Sequence, residues 1–284
     1  MATVFDAATY KNTTREQWQS AASAWNAWTP VLRSWLGPAT DLMLDMAHVG
    51  AGAEVLDVAA GAGDQSLHAA ARVGPKGRVL ATDIAPNLLA YCAANAQAAG
   101  LANVETMVAD GEDLPVPAGS FDAVISRVGL IYFPDQIKAL KAMRSALRPG
   151  GWIGAIVYAT ADENRFFSIP VSIIRRRASL PPPQPGQPGP FSLGQSGAIE
   201  AAFERAGFRN VSAVKLVANL SMTSASECVR FERESFGALH QMLSGLDDRG
   251  KAEAWAEIEE SLRSFEGPDG FAGPCTLIVA AGEK

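Results

Sequence analysis

The residues with the most capacity for chemistry fall between positions 57 and 127. Asp57-Val-Ala-Ala-Gly-Ala-Gly-Asp64 follows an apolar run and leads into a helical pattern. Small residues at 59–63 let the backbone turn sharply and approach a ligand at the amino end of the following helix. The pattern is not G-x-G-x-x-G, because Ala59 stands at the first glycine position and Ser66 at the third. Asp83 ends the next apolar run, 20 residues beyond Gly63, where an acid reaches the ribose hydroxyls of a nucleoside lying over the turn. Asp110-Gly111-Glu112 ends the third run. Alone, the turn suits a tight strand-to-helix connection, and Asp83 suits a helix cap before Pro86. In order at three successive strand ends, the turn and the two acids define a nucleoside-binding edge, the place where open α/β sheets take ligands.

No acid–base motif is legible. His240, Tyr132, Glu232 and Glu234 are candidate bases, each with an ordinary structural or surface role as the alternative. Cys92, inside a helical pattern, reads as core. Trp25 and Trp28 are three apart and so share a helix face, with Trp18 seven before Trp25 on nearly the same stripe. They read either as core packing or as an aromatic lid.

The elements that must position these residues alternate plainly. Apolar runs at 54–59, 78–83, 104–109, 121–126 and 152–158 are interleaved with helical patterns at 64–73, 86–99 and 134–147. Near-continuous apolar strands separated by helices predict a doubly wound α/β fold with a mostly parallel sheet. Residues 14–48 read as helix broken at Pro30 and Pro38, which makes 1–50 a helical cap on a core at 51–160. Six of the 17 prolines fall in 181–190, which predicts a stiff extended excursion within an insertion at 161–195. The remainder, 196–284, carries late strands at 211–220 and 275–281 around a helical insert at about 224–265.

Composition excludes several classes. Lys plus Arg (24) against Asp plus Glu (30) gives a net charge of −6, which argues against a nucleic-acid partner. The run Arg175-Arg-Arg177 reads as a solvated helix face. Cys92, Cys228 and Cys275, like His48, His68 and His240, are too scattered for a metal site or a disulfide framework. The first 20 residues lack a secretory apolar region, and the most apolar stretch, 153–161, is too short to span a bilayer. A cytoplasmic protein without a membrane span is expected.

Taken as a set, these motifs resemble class I S-adenosylmethionine-dependent methyltransferases. Asp57–Gly63 is similar to the D-x-G-x-G-x-G first motif, in the version with alanine at the first glycine that the ubiquinone/menaquinone C-methyltransferase group carries. Asp110-Gly-Glu-Asp-Leu-Pro-Val-Pro-Ala-Gly-Ser-Phe-Asp122 is similar to the adenine-binding stretch, and Leu147-Arg-Pro-Gly-Gly151 to the approach to the fifth strand. The resemblance covers about 52–160, and Ala206-Gly-Phe208 fits a later helix-to-strand unit. It implies a seven-stranded sheet with the last strand antiparallel. It also implies S-adenosylmethionine as methyl donor, S-adenosylhomocysteine as product, and no metal. Donor contacts would come from Asp57, Ala59, Gly61, Gly63, Gln65, Asp83, Ile84, Asp110, Gly111, Glu112, Ser126 and Arg127. Trp25, Trp28 and Tyr132 would face a small, apolar or aromatic acceptor, and tryptophan ring faces would attract the donor's sulfonium. Val128-Gly-Leu-Ile-Tyr-Phe-Pro134 differs from the quinone-methylating pattern, which argues against a quinone acceptor. A nicotinamide-dependent oxidoreductase and a non-catalytic nucleoside-binding module remain as alternatives. Against the first stand the missing third glycine and the Asp110-Gly-Glu stretch.

Overall fold

A computed structural model of the chain describes residues 5–183 and 187–284. Its centre is a seven-stranded sheet in the order β3-β2-β1-β4-β5-β10-β6. These strands are β1 (Glu54–Val58), β2 (Arg78–Asp83), β3 (Val104–Val108), β4 (Phe121–Arg127), β5 (Leu147–Tyr158), β6 (Arg209–Val217) and β10 (Thr276–Glu283). β10 runs antiparallel to both β5 and β6 and lies between them, whereas β1 to β5 pair in parallel. β1 and β4 are buried along almost their whole length because helices cover both faces, hence their near-continuous apolar sequences.

The helices form where the patterning requires. α3 (Asp64–Val73), α4 (Pro86–Ala98) and α5 (Gln136–Ala146) follow β1, β2 and β4, and α7 (Ala198–Arg205) packs on β6 and β10. At the amino end, α1 (Ala7–Ala27) is capped by the Asp6 carboxylate, which accepts hydrogen bonds from the Ala8 and Thr9 N–H groups. The helix starts well before residue 14, where the apolar pattern alone would begin it. α2 (Thr29–Met46) opens with Pro30 in its first turn, the position proline suits. The break expected at Pro38 does not occur, and α2 continues through it. Buried Trp35, Leu36, Ala39 and Met43 on either side hold the helix against β5 and β10, and that packing outweighs the lost backbone hydrogen bond.

Between β5 and β6 lies α6 (Arg165–Arg177), a helix that the proline-rich composition of its surroundings conceals. The expected extended excursion is present as irregular chain at 181–183 and from 187 onward, and its residues 184–186 lie outside the described residues. The expected strand at 211–220 divides into β6 and β7 (Leu220–Met222), and β7 joins β9 (Gly270–Gly273) and β8 (Glu266–Gly267) in a second, three-stranded sheet. The late helical insert resolves into α8 (Ala225–Ser235), α9 (Gly237–Leu243) and α10 (Asp248–Leu262). α1 packs on α4, α8 and α9, so the first helix and the late helical insert meet over the carboxyl edge of the large sheet. Among the described residues no helix is long and apolar enough to cross a membrane.

Candidate active site

The sharp turn after β1 is built by backbone conformation. Ala59, Gly61 and Gly63 all have positive φ, at 61°, 58° and 89°. At Gly63 only glycine fits for a second reason: an added Cβ would lie 2.4 Å from the Cys92 sulfur on α4. Gly63 therefore serves helix packing and does not line the cavity above the turn, and Cys92 is a buried thiol pushed up to about 12 by desolvation. Asp57 also departs from its expected donor contact. Its carboxylate is fully buried beneath the turn, where it accepts hydrogen bonds from the Ser66 hydroxyl and, at 3.3 Å, from Gln65 Nε2. Burial pushes its pKa up to about 7 despite those bonds. Asp57 is thus a clamp joining β1 to α3.

Above the turn lies a cavity with about 1020 Å³ of free space, solvent at its mouth included. Ala59, Gly61, Gln65, Asp83, Ile84, Asp110, Gly111 and Arg127 line it, together with Trp25 and Tyr132. Asp83 accepts hydrogen bonds from the N–H groups of Gly61 and Ala85, each at 2.9 Å, so the acid of β2 also fixes the turn of β1. Its pKa is raised by burial, which those two bonds oppose. Asp110 accepts from Glu112 N at 2.9 Å and from Lys11 Nζ at 2.6 Å. Lys11 Nζ also donates to Glu112 at 2.9 Å. Glu112 is buried behind the wall, where its other oxygen accepts from Asp135 N. It is a positioning group, and its side chain does not enter the cavity.

β4 delivers the next contacts. Ser126 is buried with its hydroxyl unpartnered and does not line the cavity, whereas Arg127 does. The Arg127 guanidinium donates to Asp64 at 2.8 Å and to Thr40 at 3.1 Å, and Arg33 pairs with the same Asp64 at 2.9 Å. These cations hold the Asp64 carboxyl below the usual range against burial, the largest single influence on it. Val128 then takes φ 59°, a left-handed conformation rare for a β-branched residue. Strain of this kind persists where surrounding structure enforces it, commonly at ligand sites. Here Val128 N donates to Ile156 O, and Gly129 meets the turn so closely that an added Cβ would lie 2.4 Å from the Ala59 Cβ.

The roof is aromatic. Trp18 packs edge-on to Trp25 at 5.1 Å and to Tyr132 at 5.6 Å, and Trp25 meets Phe236 at 6.1 Å. A Cβ on Gly61 would lie 3.3 Å from Trp25 Nε1, so α1 rests directly on the turn. Trp28 is elsewhere. It follows the last residue of α1, where the helical spacing that would align it with Trp25 ends. Its indole donates to Glu234 at 2.8 Å, Arg230 stacks on its ring, and it packs against Phe231. His240 is also outside the cavity. It lies on a separate groove with Glu16 and Arg233, its Nε2 against the Arg233 carbonyl and its ring near Trp255. Glu232 is fully buried with both carboxyl oxygens unpartnered. Lys11, Tyr158 and Phe236, which sequence reasoning did not single out for the site, line the cavity beside Trp18. Only Trp18 had a sequence signal, its seven-residue spacing from Trp25.

The comparisons agree with this geometry. A family described as "Methyltransferase domain" matches residues 55–151. Nocamycin O-methyltransferase of Saccharothrix syringae is 38% identical over 117 residues, 41% of this chain and 42% of that protein. Demethylmenaquinone methyltransferase of Listeria welshimeri is 37% identical over 105 residues, 37% of this chain and 44% of that protein. The match thus spans less than half the length of each of these two relatives. The solved structure of YcgJ from Bacillus subtilis shares the fold, with a TM-score of 0.58, 21% identity, and 87% of this chain and 98% of that one covered. Residues 55–151 thus match a methyltransferase domain, and over part of the chain the sequence is similar to the menaquinone-methylating members of the S-adenosylmethionine-dependent class. The methyl donor of that class is S-adenosylmethionine.

Proposed function

We propose that the chain transfers a methyl group from S-adenosylmethionine to a small, apolar or aromatic metabolite. One observation carries the reading: the strand-end groups suited to a nucleoside and an aromatic chamber under α1 and α8 share a single cavity. The residues fit the donor. Asp83 keeps lone pairs free for ribose hydroxyls beyond its two backbone bonds, since an ionised carboxylate offers about four acceptor sites. Asp110 and Gly111 would meet the adenine, and the close approach of Ala59, Gly61 and Gly129 leaves backbone to meet the amino-acid end. The bound donor supplies a methyl group on a sulfonium, already activated by its leaving group. The chain's own part is alignment and exclusion of water. Trp18 and Trp25 close the mouth from above, Arg127 stays neutralised by Asp64, and the Tyr132 hydroxyl is held protonated by burial. An acceptor that attacks as a neutral group can release its proton to solvent after the methyl–sulfur bond has broken, and neither His240 nor Glu234 lines the cavity to take it.

The test is calorimetric titration with S-adenosylhomocysteine, beside transfer of radiolabelled methyl from the donor into a metabolite extract. Binding and label incorporation are expected. NADH binding with none for S-adenosylhomocysteine would restore the oxidoreductase alternative, and donor binding without label transfer the non-catalytic one.

A further inference from the structure

A buried tyrosine hydroxyl usually finds a hydrogen-bond partner inside the protein, and at the end of β5 one does not. Tyr158 is 2% exposed and lines the cavity, and among the described residues its hydroxyl makes no hydrogen bond. The Ser126 hydroxyl and the Glu232 carboxyl are unpartnered too, but they are sealed in the core. The Tyr158 hydroxyl is not sealed, and the space its ring borders is the cavity. Its neighbours keep the ring from turning elsewhere. Trp35 stacks on it at 6.4 Å, Phe166 and Phe167 pack at 6.1 and 6.2 Å, and Phe191 at 6.4 Å. The Trp35 indole is itself engaged, donating to the Ala218 carbonyl at 2.7 Å.

Sheet order sets this hydroxyl apart from the donor groups. β3 leads to Asp110, β2 ends in Asp83 and β1 runs into the glycine turn, so these groups share one half of the carboxyl edge. β4 follows with Arg127, and β5 lies beyond it. Among the described residues that line the cavity, the acids are Asp83 and Asp110, both in the first half. From Tyr158 the wall continues as rings, through Phe167 to Phe236 at 4.8 Å and on to Trp25 at 6.1 Å. Tyr132 also carries an unbonded hydroxyl but stands in the first half. Its neighbour Phe133 covers Gly111, where an added Cβ would lie 2.5 Å from the ring.

We propose that the Tyr158 hydroxyl is the hydrogen-bonding group of the acceptor chamber, and that the acceptor is an aromatic molecule with two polar groups. One is the atom that is methylated; the other, a hydroxyl or carbonyl oxygen on the side away from the donor, is held by Tyr158. The proposal rests on the methyltransferase reading and adds the chemistry of the acceptor. Ring walls suit an aromatic guest through edge and face contacts. A tyrosine hydroxyl both donates and accepts, so either kind of oxygen completes it. An ammonium at that end would meet no carboxylate, since both acids of the lining lie at the donor end.

The probes are phenol, its isostere toluene, and benzylamine, titrated by ligand-observed NMR into the full chain saturated with S-adenosylhomocysteine. The quantity read is the phenol-to-toluene affinity ratio, compared between variants so that the different hydration of the two probes cancels. Tyr158→Phe should lower that ratio about tenfold, the scale of one buried polar group left unpaired. Toluene and S-adenosylhomocysteine should each bind this variant within about twofold of wild type, a spread far inside the tenfold scale. The substitution keeps the ring and removes an unbonded hydroxyl, so the fold should persist, which thermal unfolding checks. Tyr132→Phe should leave the ratio within about twofold of wild type. An unchanged ratio in Tyr158→Phe overturns the proposal, and so does a tenfold fall in Tyr132→Phe alone, which would move the polar contact to the donor end. Equal weakening of both probes in Tyr158→Phe would make the residue structural and overturns it as well. In wild type, failure of phenol to bind, or tighter binding of benzylamine than of phenol, overturns it without any variant. Failure of wild type to bind S-adenosylhomocysteine instead overturns the methyltransferase reading, and this proposal with it.

Discussion

Asp83 holds the turn after β1 as well as lining the cavity above it, and the two duties separate experimentally. Hydrogen bonds to a charged acceptor contribute about 1.5–3 kcal/mol each. Asp83→Ala should therefore weaken S-adenosylhomocysteine binding by roughly two orders of magnitude, read by calorimetry. Because Gly61 N and Ala85 N lose their acceptor too, the ligand-free variant should also melt earlier, by about 1–3 kcal/mol of stability. Wild-type affinity in a folded variant would remove the ribose role. Asp57 gives a pH signature. Its native pKa, near 7, lies above the ordinary carboxylate value, so the native state holds a proton that the unfolded chain releases. That contribution is present in full below the unfolded pKa and is lost as pH rises through 7. Wild-type stability should thus fall between about pH 4 and 7, and Asp57→Asn should flatten the slope in a pH series of thermal unfolding. Asp83 and Glu232, raised in the same direction by burial, leave a residual slope. That Asp83 and Asp110 reach the cavity was legible in the sequence because strand ends are legible. That Asp57 faces down and Asp83 faces up was not, since both end similar apolar runs.

At the scale of elements, α1 is the piece on which the proposed function most depends. It contributes Lys11, Trp18 and Trp25 to the cavity yet belongs to no part of the sheet. Trp25→Leu should lower turnover while changing stability by no more than about 1–2 kcal/mol. Trp28→Leu, which removes a buried ring together with its Glu234 and Arg230 contacts, should cost about 3 kcal/mol or more and leave donor binding intact. Equal losses in both would make the two tryptophans alike as core residues. Lys11→Met removes a partly exposed ion pair worth about 1 kcal/mol or less. It should nonetheless raise hydrogen exchange in the first turns of α1 and hasten release of S-adenosylhomocysteine severalfold. Unchanged exchange would show that α1 is held by its other contacts alone. The helical nature of α1 was readable from composition, but its end at Trp28 was not. Three-residue spacing aligns two tryptophans only while the helix continues, and Pro30 acts as the start of the next helix. Pro38 misleads in the opposite way, because tertiary packing carries α2 across a residue that propensity would make a break.

Considered whole, the molecule closes its cavity with α1 and with Phe236 of the late helical insert, segments distant in sequence from each other. Bound S-adenosylhomocysteine should therefore stabilise the entire fold as well as the donor core. At 100 times its dissociation constant a ligand adds about 2.7 kcal/mol, which for a chain of this length corresponds to roughly 5–10 °C in Tm. A smaller shift confined to the core, seen as unprotected amides in α1 and α8, would show that the roof moves independently. The α/β alternation and the parallel pairing of most of the sheet followed from periodicity. α6 and the small sheet of β7, β8 and β9 did not, because short strands and proline-bearing helices carry weak periodic signals and form through contacts distant in sequence.

The place of β10 between β5 and β6 has a consequence for synthesis. A chain emerging from the ribosome exposes β1 to β5 in an order that lets each strand dock on its neighbours as it appears. β6 emerges next, but among the described residues its one partner in the large sheet is β10, more than 50 residues later. Until then β6 has no sheet to join, and Val214 and Val217, exposed even in the finished fold, lie on an unpaired strand. Nascent chains stalled before Thr276 should hold a protease-resistant segment ending near Tyr158 and remain cleavable beyond it. Release of the remaining residues should protect the whole at once.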